Sequence, residues 1–113
     1  MDISTLPGMA QHWAKTCPDR VWLKDLKEEG SDDYTWGESW EQISAIAAML
    51  ETQFGHGERM VMLSRNRPHW FLADLAIIAS GNITVSMFTT LPGNTAEYIM
   101  NFTEAKVMFV GET

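Results

Sequence analysis

The loop Phe88–Asn94 holds the residues with the clearest potential to contact a ligand. It follows an apolar run and leads into a helical segment through the turn Pro92-Gly93. Asn94, with Glu97 three residues later, is predicted to cap that helix. The hydroxyls of Thr89 and Thr90 and the neighbouring backbone amides could hydrogen-bond a ligand at the carboxyl end of a strand, where open α/β sheets bind their ligands. An ordinary connection between a strand and a helix explains the same composition, and spacing alone favours that simpler interpretation.

A second candidate connection, Ser64–His69, lacks the pattern of a phosphate-binding loop. It carries two arginines and a proline where such a loop needs glycines for close backbone approach. We therefore interpret Asn66 as the cap of the following helix, with Pro68 in its first turn. No catalytic residue is predicted in this connection or elsewhere in the chain.

Metal-binding patterns are also missing from the sequence. His12, His56 and His69 are scattered and show no pairing at helical spacing. The acidic stretch Asp25–Asp33 lacks the regular alternation of a calcium loop, so it predicts a solvated hairpin tip. We predict no metal ligand in this chain.

The length and charge of the chain narrow the classes of function. It has 113 residues, 8 basic and 15 acidic, which gives a net charge of −7. Such an acidic chain argues against a nucleic-acid partner, which requires a basic surface. No apolar run is long enough to predict a transmembrane segment, and residues 1–5 do not have the pattern of a signal peptide. The lone Cys17 suits a reducing, cytoplasmic compartment.

The region from residue 38 to residue 113 has the alternation of an α/β protein. Three apolar runs predict buried parallel strands at Met60–Leu63, Ile83–Phe88 and Lys106–Val110. Helical segments lie between them at His69–Ser80 and Thr95–Glu104. We therefore predict a partial doubly wound parallel sheet of the βαβαβ type, with right-handed crossovers.

The region from residue 1 to residue 37 is more polar and predicts a helix followed by a hairpin. The helix runs over Thr5–Thr16, and the two short strands are Val21–Leu23 and Tyr34–Trp36. Both regions, 1–37 and 38–113, are predicted to belong to one domain.

A long amphipathic helix connects the hairpin to the first parallel strand. Thr35 and Glu38 have the spacing of a capping box, and an apolar stripe continues from there to Phe54. Gly55 stands where a residue with positive φ would end the helix.

The helix over Trp70–Ala79 is apolar on nearly every side. Such a helix must be buried on every side, and three strands cannot cover it from behind. The chain is therefore expected to be a truncated part of a larger domain, or to form a homodimer through this helix.

Four segments, taken in order, resemble one enzyme family. Tyr34–Glu38 resembles a Y-T-W-x-E motif, and Asn66–Trp70 resembles an N-x-x-x-W motif. Gly81–Thr90 is similar to G-A-V-x-V-P-x-Y-P-T, and Ala105–Gly111 is similar to A-K-x-x-F-V-G. The family is that of the adenylate-forming acyl-CoA synthetases, and its long-chain branch has the last motif. The resemblance extends from about Leu6 to Thr113.

This resemblance implies the N-terminal part of a long-chain fatty-acid CoA ligase (AMP-forming). Such an enzyme uses ATP, Mg²⁺ and CoA to activate a fatty acid through an acyl-adenylate. The resemblance also implies a cytoplasmic enzyme that can associate peripherally with the inner membrane. Because the catalytic motifs of the family are absent from this chain, the fragment alone is expected to be inactive and to bind none of these cofactors. The resemblance places Phe88, Thr89 and Thr90 beside the nucleotide of CoA, and Asn82 stands where the family pattern has a small residue.

Two alternatives from other classes of protein remain. A stand-alone, flavodoxin-like regulatory module would need an aspartate after a central strand, and neither Leu63–Arg65 nor Met87–Thr89 offers one. A small interaction domain could instead dimerise through Trp70–Ala79. The ordered motifs favour the ligase over both.

Overall fold

The computed structural model describes residues 3–111, and within them it contains four helices and five strands. None of the helices in this part of the chain has the length and apolar character needed to cross a membrane. The elements are, in order, α1 (Leu6–Thr16), β1 (Val21–Leu26), β2 (Ser31–Thr35), α2 (Trp36–Phe54), β3 (Arg59–Leu63), α3 (Pro68–Ala79), β4 (Ile83–Met87), α4 (Gly93–Thr103) and β5 (Val107–Val110).

The central feature is a parallel sheet with strand order β4-β3-β5. Val61 in β3 pairs with Val85 on one side and with Met108 on the other. The chain moves from β3 to β4 in one direction and returns past β3 to reach β5. Right-handed crossovers therefore place α3 and α4 on opposite faces of the sheet. The predicted doubly wound α/β fold, preceded by a helix and a hairpin, is confirmed.

The middle strand β3 forms the centre of one of two hydrophobic clusters. Met60 and Met62 project from one face of the sheet and pack against Leu50 of α2 and Ile77 of α3, and all four side chains are buried. Val61 projects from the other face and is also buried. A strand covered on both faces accounts for the uninterrupted apolar run from which it was predicted.

The second cluster joins the N-terminal helix and the hairpin to α2 and α3. Ala10, Ile43 and Leu72 lie at its centre, and partly buried aromatic residues surround them. Trp22 and Trp36 are stacked with their ring centroids 4.4 Å apart. The hairpin therefore packs on the helical layer and does not extend the parallel sheet.

The hairpin strands are longer than predicted, which changes the environment of Asp25. This residue lies in β1 opposite Asp32, and not in the turn. Its carboxylate is 3.3 Å from the guanidinium of Arg67, and its side chain is only 11% exposed. The prediction of a solvated acidic tip is wrong for Asp25, because a cation from the loop after β3 reaches it.

Two predicted helix caps are wrong. Asn66 and Asn94 do not occupy cap positions, because α3 begins at Pro68 and α4 begins one residue before Asn94. The residues at the caps are Arg67 and Pro92, both with extended backbones and neither with a side-chain capping hydrogen bond. Proline, with φ fixed near its helical value and no N–H to satisfy, starts α3 without a polar cap.

The prediction that a three-stranded sheet cannot cover α3 on every side agrees with the structure. Ile77 has no exposed surface, but Phe71 is 43% exposed and Ile78 is 37% exposed. The sheet, α1, α2 and the hairpin cover part of the helix and leave Phe71 and Ile78 partly exposed. The homodimer stays a prediction, because the exposed face of α3 does not identify the molecule that packs on it.

The capping of α2 provides a test of local stabilisation. The Thr35 hydroxyl accepts a hydrogen bond from the Glu38 backbone N–H at 3.1 Å, and Gly55 ends the helix with φ 77°. We expect Thr35→Ala to lower the free energy of unfolding by about 0.5–2 kcal/mol in urea titrations, because one N–H of the first turn loses its acceptor. Thr35→Ser should retain most of the stability, and equal losses in both variants would contradict this role.

Candidate ligand-binding cleft

Two loops separate at the carboxyl edge of the sheet and leave a crevice between them. The loop after β3 leads to α3 on one face, while the loop after the adjacent strand β4 leads to α4 on the other. This divergence is the topological switch point at which open α/β sheets bind ligands. The strand order therefore identifies one position along the edge as the candidate site.

A cleft of about 320 Å³ occupies this position. Its volume is at the lower end of the range for small-molecule sites, which is roughly 300–1,000 Å³. It can therefore hold one end of a large ligand. The residues that line it are Ser64, Arg65, Asn66, Trp70, Ser86, Met87, Phe88, Thr89 and Thr90.

The structure brings Phe88, Thr89 and Thr90, the three residues predicted for this edge, to one wall of the cleft. Phe88 follows the last residue of β4 and is 78% exposed. The loop then folds back on itself, since the Leu91 N–H donates to the Phe88 carbonyl at 3.2 Å. These residues form a rim with an open aromatic ring and two hydroxyls.

Sequence reasoning missed the opposite wall, which consists of Ser64, Arg65 and Asn66. Their loop lacks the glycines of a phosphate-binding loop, and the sequence predicts Asn66 as a helix cap. Their position in the sequence could have identified them, because they directly follow β3, and β3 lies next to β4 in the sheet. Residues at the carboxyl ends of adjacent strands meet even when 22 or more positions separate them.

Short-range contacts hold this wall in place. The Ser64 hydroxyl donates to the Arg65 carbonyl at 3.0 Å, and the Gly111 N–H donates to the Leu63 carbonyl at 2.9 Å. Gly111 lies so close to Ser64 that an added Cβ would come within 2.8 Å of the Ser64 Cβ. On the far side of the loop, Arg67 pairs with Asp25. The hairpin and β5 therefore both position the loop after β3.

The cleft contrasts in charge with the rest of the chain. Among the described residues that line it, Arg65 is a cation and none is an aspartate or a glutamate, although the whole chain has a net charge of −7. The Thr, Ser and Asn side chains add hydrogen-bonding groups, and Trp70 and Phe88 add aromatic surface. Such a lining can bind a planar, anionic ligand.

The other residues considered for chemistry are not brought together. His56 lies 3.4 Å from Glu51, and the His69 ring packs edge-on against Tyr34. Cys17 is partly exposed at the end of α1. Within residues 3–111, no group of three or more His, Cys, Asp or Glu side chains could hold a metal ion. Mg²⁺ binds through oxygen ligands, mainly carboxylates and water, so the residues described here do not fit a Mg²⁺ site.

Residues 10–113 match the model of the AMP-binding enzyme family. A fatty acyl-CoA synthetase from Dictyostelium discoideum is 30% identical over 92 residues, which are 76% of this chain and 14% of that protein. A long-chain fatty-acid–CoA ligase from Mycobacterium tuberculosis is 31% identical over 93 residues, which are 81% of this chain and 16% of that protein. The chain thus spans about one seventh of the length of these relatives.

Solved structures share the fold. A fatty acid AMP ligase from Legionella pneumophila superposes with a TM-score of 0.85 at 19% identity, covering 94% of this chain and 19% of that structure. The N-terminal subdomain of NpsA from Klebsiella oxytoca superposes with a TM-score of 0.75 at 22% identity, covering 93% of this chain and 27% of that structure. At these identities the likeness establishes the fold alone.

Proposed function

Because this chain belongs to the AMP-binding enzyme family, we propose that it is part of a ligase that joins a long-chain fatty acid to coenzyme A. The observation that carries the proposal is the sequence identity of about 30% to relatives named as fatty acyl-CoA and long-chain fatty-acid–CoA ligases. The family match over residues 10–113 supports the ligase over a regulatory or dimerising module.

The proposed reaction has two steps. The fatty-acid carboxylate is a poor acyl donor, so its oxygen first attacks the α-phosphorus of ATP, which forms acyl-AMP and releases pyrophosphate. The thiol of coenzyme A, after losing its proton, then attacks the acyl carbonyl carbon, and AMP leaves with the electrons of the broken C–O bond. Both steps concentrate negative charge on phosphate oxygens, which hydrogen-bond donors and cations stabilise.

We propose that this chain contributes the opening strands of the catalytic sheet and one wall of the coenzyme A site. The cleft at the switch point supports this role, because Phe88, Thr89 and Thr90 form its rim. We assign no catalytic residue and no metal ligand to the chain. A cytoplasmic location with peripheral association with the membrane fits a lipid substrate and is proposed on that ground.

Exchange of labelled pyrophosphate into ATP tests this function. We expect no exchange from the 113-residue chain, because the catalytic motifs of the family are absent from its sequence. A longer polypeptide that contains this sequence should show exchange dependent on long-chain fatty acids and should form acyl-CoA. Exchange by the 113-residue chain would overturn its proposed role as an inactive part. If the longer polypeptide showed no exchange dependent on fatty acids, the proposed ligase function would be overturned.

A further inference from the structure

We infer that the groove between α1, the hairpin and α3 binds an arginine side chain from the part of the longer ligase that this chain does not include. The guanidinium of that arginine pairs with Asp74, and its aliphatic stem lies against the apolar wall of the groove. This inference rests on the proposed function and goes beyond it. It gives a role to Asp74, the one carboxylate of α3, which the proposed reaction does not use.

The groove is an apolar surface that carries a single charge. Its volume is about 410 Å³, and it shares only Trp70 with the described lining of the cleft at the switch point. Leu6 and Met9 of α1 and Phe71 of α3 line it and are all exposed. Asp74 is the one charged side chain among the described residues that line it. The groove is therefore a separate, open site with a defined charge.

The carboxylate of Asp74 needs a cation. Asp74 is half-buried, and no basic side chain within residues 3–111 forms an ion pair with it. By contrast, Asp25 of the hairpin pairs with Arg67 at 3.3 Å. A carboxylate among apolar side chains loses part of its hydration, which a paired cation offsets. Fatty acids, ATP and coenzyme A are anions, so Asp74 repels each of them from this groove.

The aromatic lining favours a guanidinium over an ammonium group. Trp22 and Trp36, stacked with their ring centroids 4.4 Å apart, line the groove together with Trp70 and Phe71. Aromatic faces attract cations, and tryptophan does so most strongly. A guanidinium is planar and weakly hydrated, so it can lie on a ring while it donates to a carboxylate, and its stem packs on apolar surface. These properties identify arginine, and not lysine, as the occupant.

The longer ligase is a better source of this arginine than a second copy of the chain. The chain covers only 14% and 16% of the lengths of two of its relatives, so a ligase of that size has much further surface to pack on the groove. Two copies of this chain each have a net charge of −7 and repel one another. An arginine on the same polypeptide is tethered, so its pairing avoids the entropy cost of bringing two molecules together.

The experiment is titration of the 113-residue chain with phenylguanidine, a cation at neutral pH, and with phenylurea, its neutral analogue of similar shape. Tryptophan fluorescence reports binding, because three tryptophans line the groove. We expect phenylguanidine to bind about fivefold or more tightly than phenylurea. Asp74→Asn should remove that difference without changing the affinity for phenylurea. Equal affinities of the unaltered chain for the two compounds would overturn the inference.

Glu41→Gln is the matched control. Glu41 is exposed on α2 and does not line the groove, so its replacement changes the net charge equally without reaching the site. An equal loss of the preference in Glu41→Gln and Asp74→Asn would indicate a general charge effect and overturn the inference. Asp74→Glu is a second variant for use if Asp74→Asn does not fold. It should retain part of the preference, and complete loss would overturn the pairing with Asp74.

A longer polypeptide that contains this sequence tests the occupant. Its groove should be filled, so phenylguanidine should show no binding that depends on Asp74. Such binding would reveal an open groove and overturn the inference. Asp74→Asn should also lower the urea midpoint of this polypeptide, because the arginine loses its partner, whereas Glu41→Gln should leave the midpoint unchanged. An unaltered midpoint in Asp74→Asn would overturn the arginine pair.

Two further results separate this inference from its alternatives. Dimers of the 113-residue chain that dissociate in Asp74→Asn would identify a second copy as the occupant and overturn the inference. An open groove in a longer polypeptide that has ligase activity would overturn the inference and leave the proposed function intact. A filled groove that depends on Asp74, in a longer polypeptide without fatty-acid-dependent exchange, would support the pairing and reject only the proposed function.

Discussion

Replacing Ile77 by alanine is expected to lower the free energy of unfolding by about 2–5 kcal/mol. Ile77 has no exposed surface and packs with Leu50, Met60 and Met62, where α2 and α3 meet the central strand. Removal of its outer carbons leaves a cavity that surrounding secondary structure can fill only in part. Since small domains are stable by only about 5–15 kcal/mol, this loss is a large fraction of the total.

The adjacent residue gives a control with the same chemical change. Ile78→Ala removes the same atoms from the same helix, but Ile78 is 37% exposed, so its loss should be well under half that of Ile77→Ala. Urea titrations of both variants, followed by circular dichroism, measure the two losses. Equal losses would contradict the difference in burial between Ile77 and Ile78.

Replacing Asn82 by alanine is expected to cost about 2–4 kcal/mol, because several buried polar groups would lose their partners together. The side chain is buried, and its Oδ1 accepts from the Glu58 N–H at 2.9 Å. Its Nδ2 donates to the Gly55 carbonyl at 3.1 Å and to the Ser80 hydroxyl oxygen at 2.8 Å. Ser80 in turn donates to the Ile77 carbonyl at 2.7 Å.

Asn82 thus joins the segment before β3 to the segment before β4 at the amino edge of the sheet. Asn101→Ala is a suitable control, because Asn101 is exposed on α4 and its loss should change stability by about 0.5 kcal/mol or less. Urea unfolding gives the stabilities, and amide exchange at Glu58 should accelerate only in Asn82→Ala. An Asn82→Ala protein with unaltered stability would show that water replaces the side chain fully.

The same network explains a departure of this sequence from its family pattern. Asn82 stands where the pattern has a small residue, and the sequence alone gave no reason for a polar side chain there. In the structure its amide fills the space between the two segments and satisfies groups on both. The asparagine at position 82 therefore has a structural role at the amino edge of the sheet, which is opposite the edge that holds the cleft.

Local patterns determined most of the secondary structure. The apolar runs identified β3, β4 and β5, and the spacing of Thr35 and Glu38 identified the start of α2, because strand burial and helix capping depend on residues close together in the chain. The predicted caps Asn66 and Asn94 are wrong because α3 begins at Pro68 and α4 begins at Gly93, so that Arg67 and Pro92 occupy the cap positions.

The amino-acid sequence by itself determined the fold class, and its ordered motifs identified the family and one wall of the cleft, Phe88–Thr90. Only the tertiary structure placed Ser64–Asn66 on the other wall and buried Ile77 while leaving Ile78 open. The physical reason is that hydrophobic periodicity records whether a side chain is covered, but not which element covers it. Strand order depends on pairing between distant segments, and here it creates the switch point and the cleft within it.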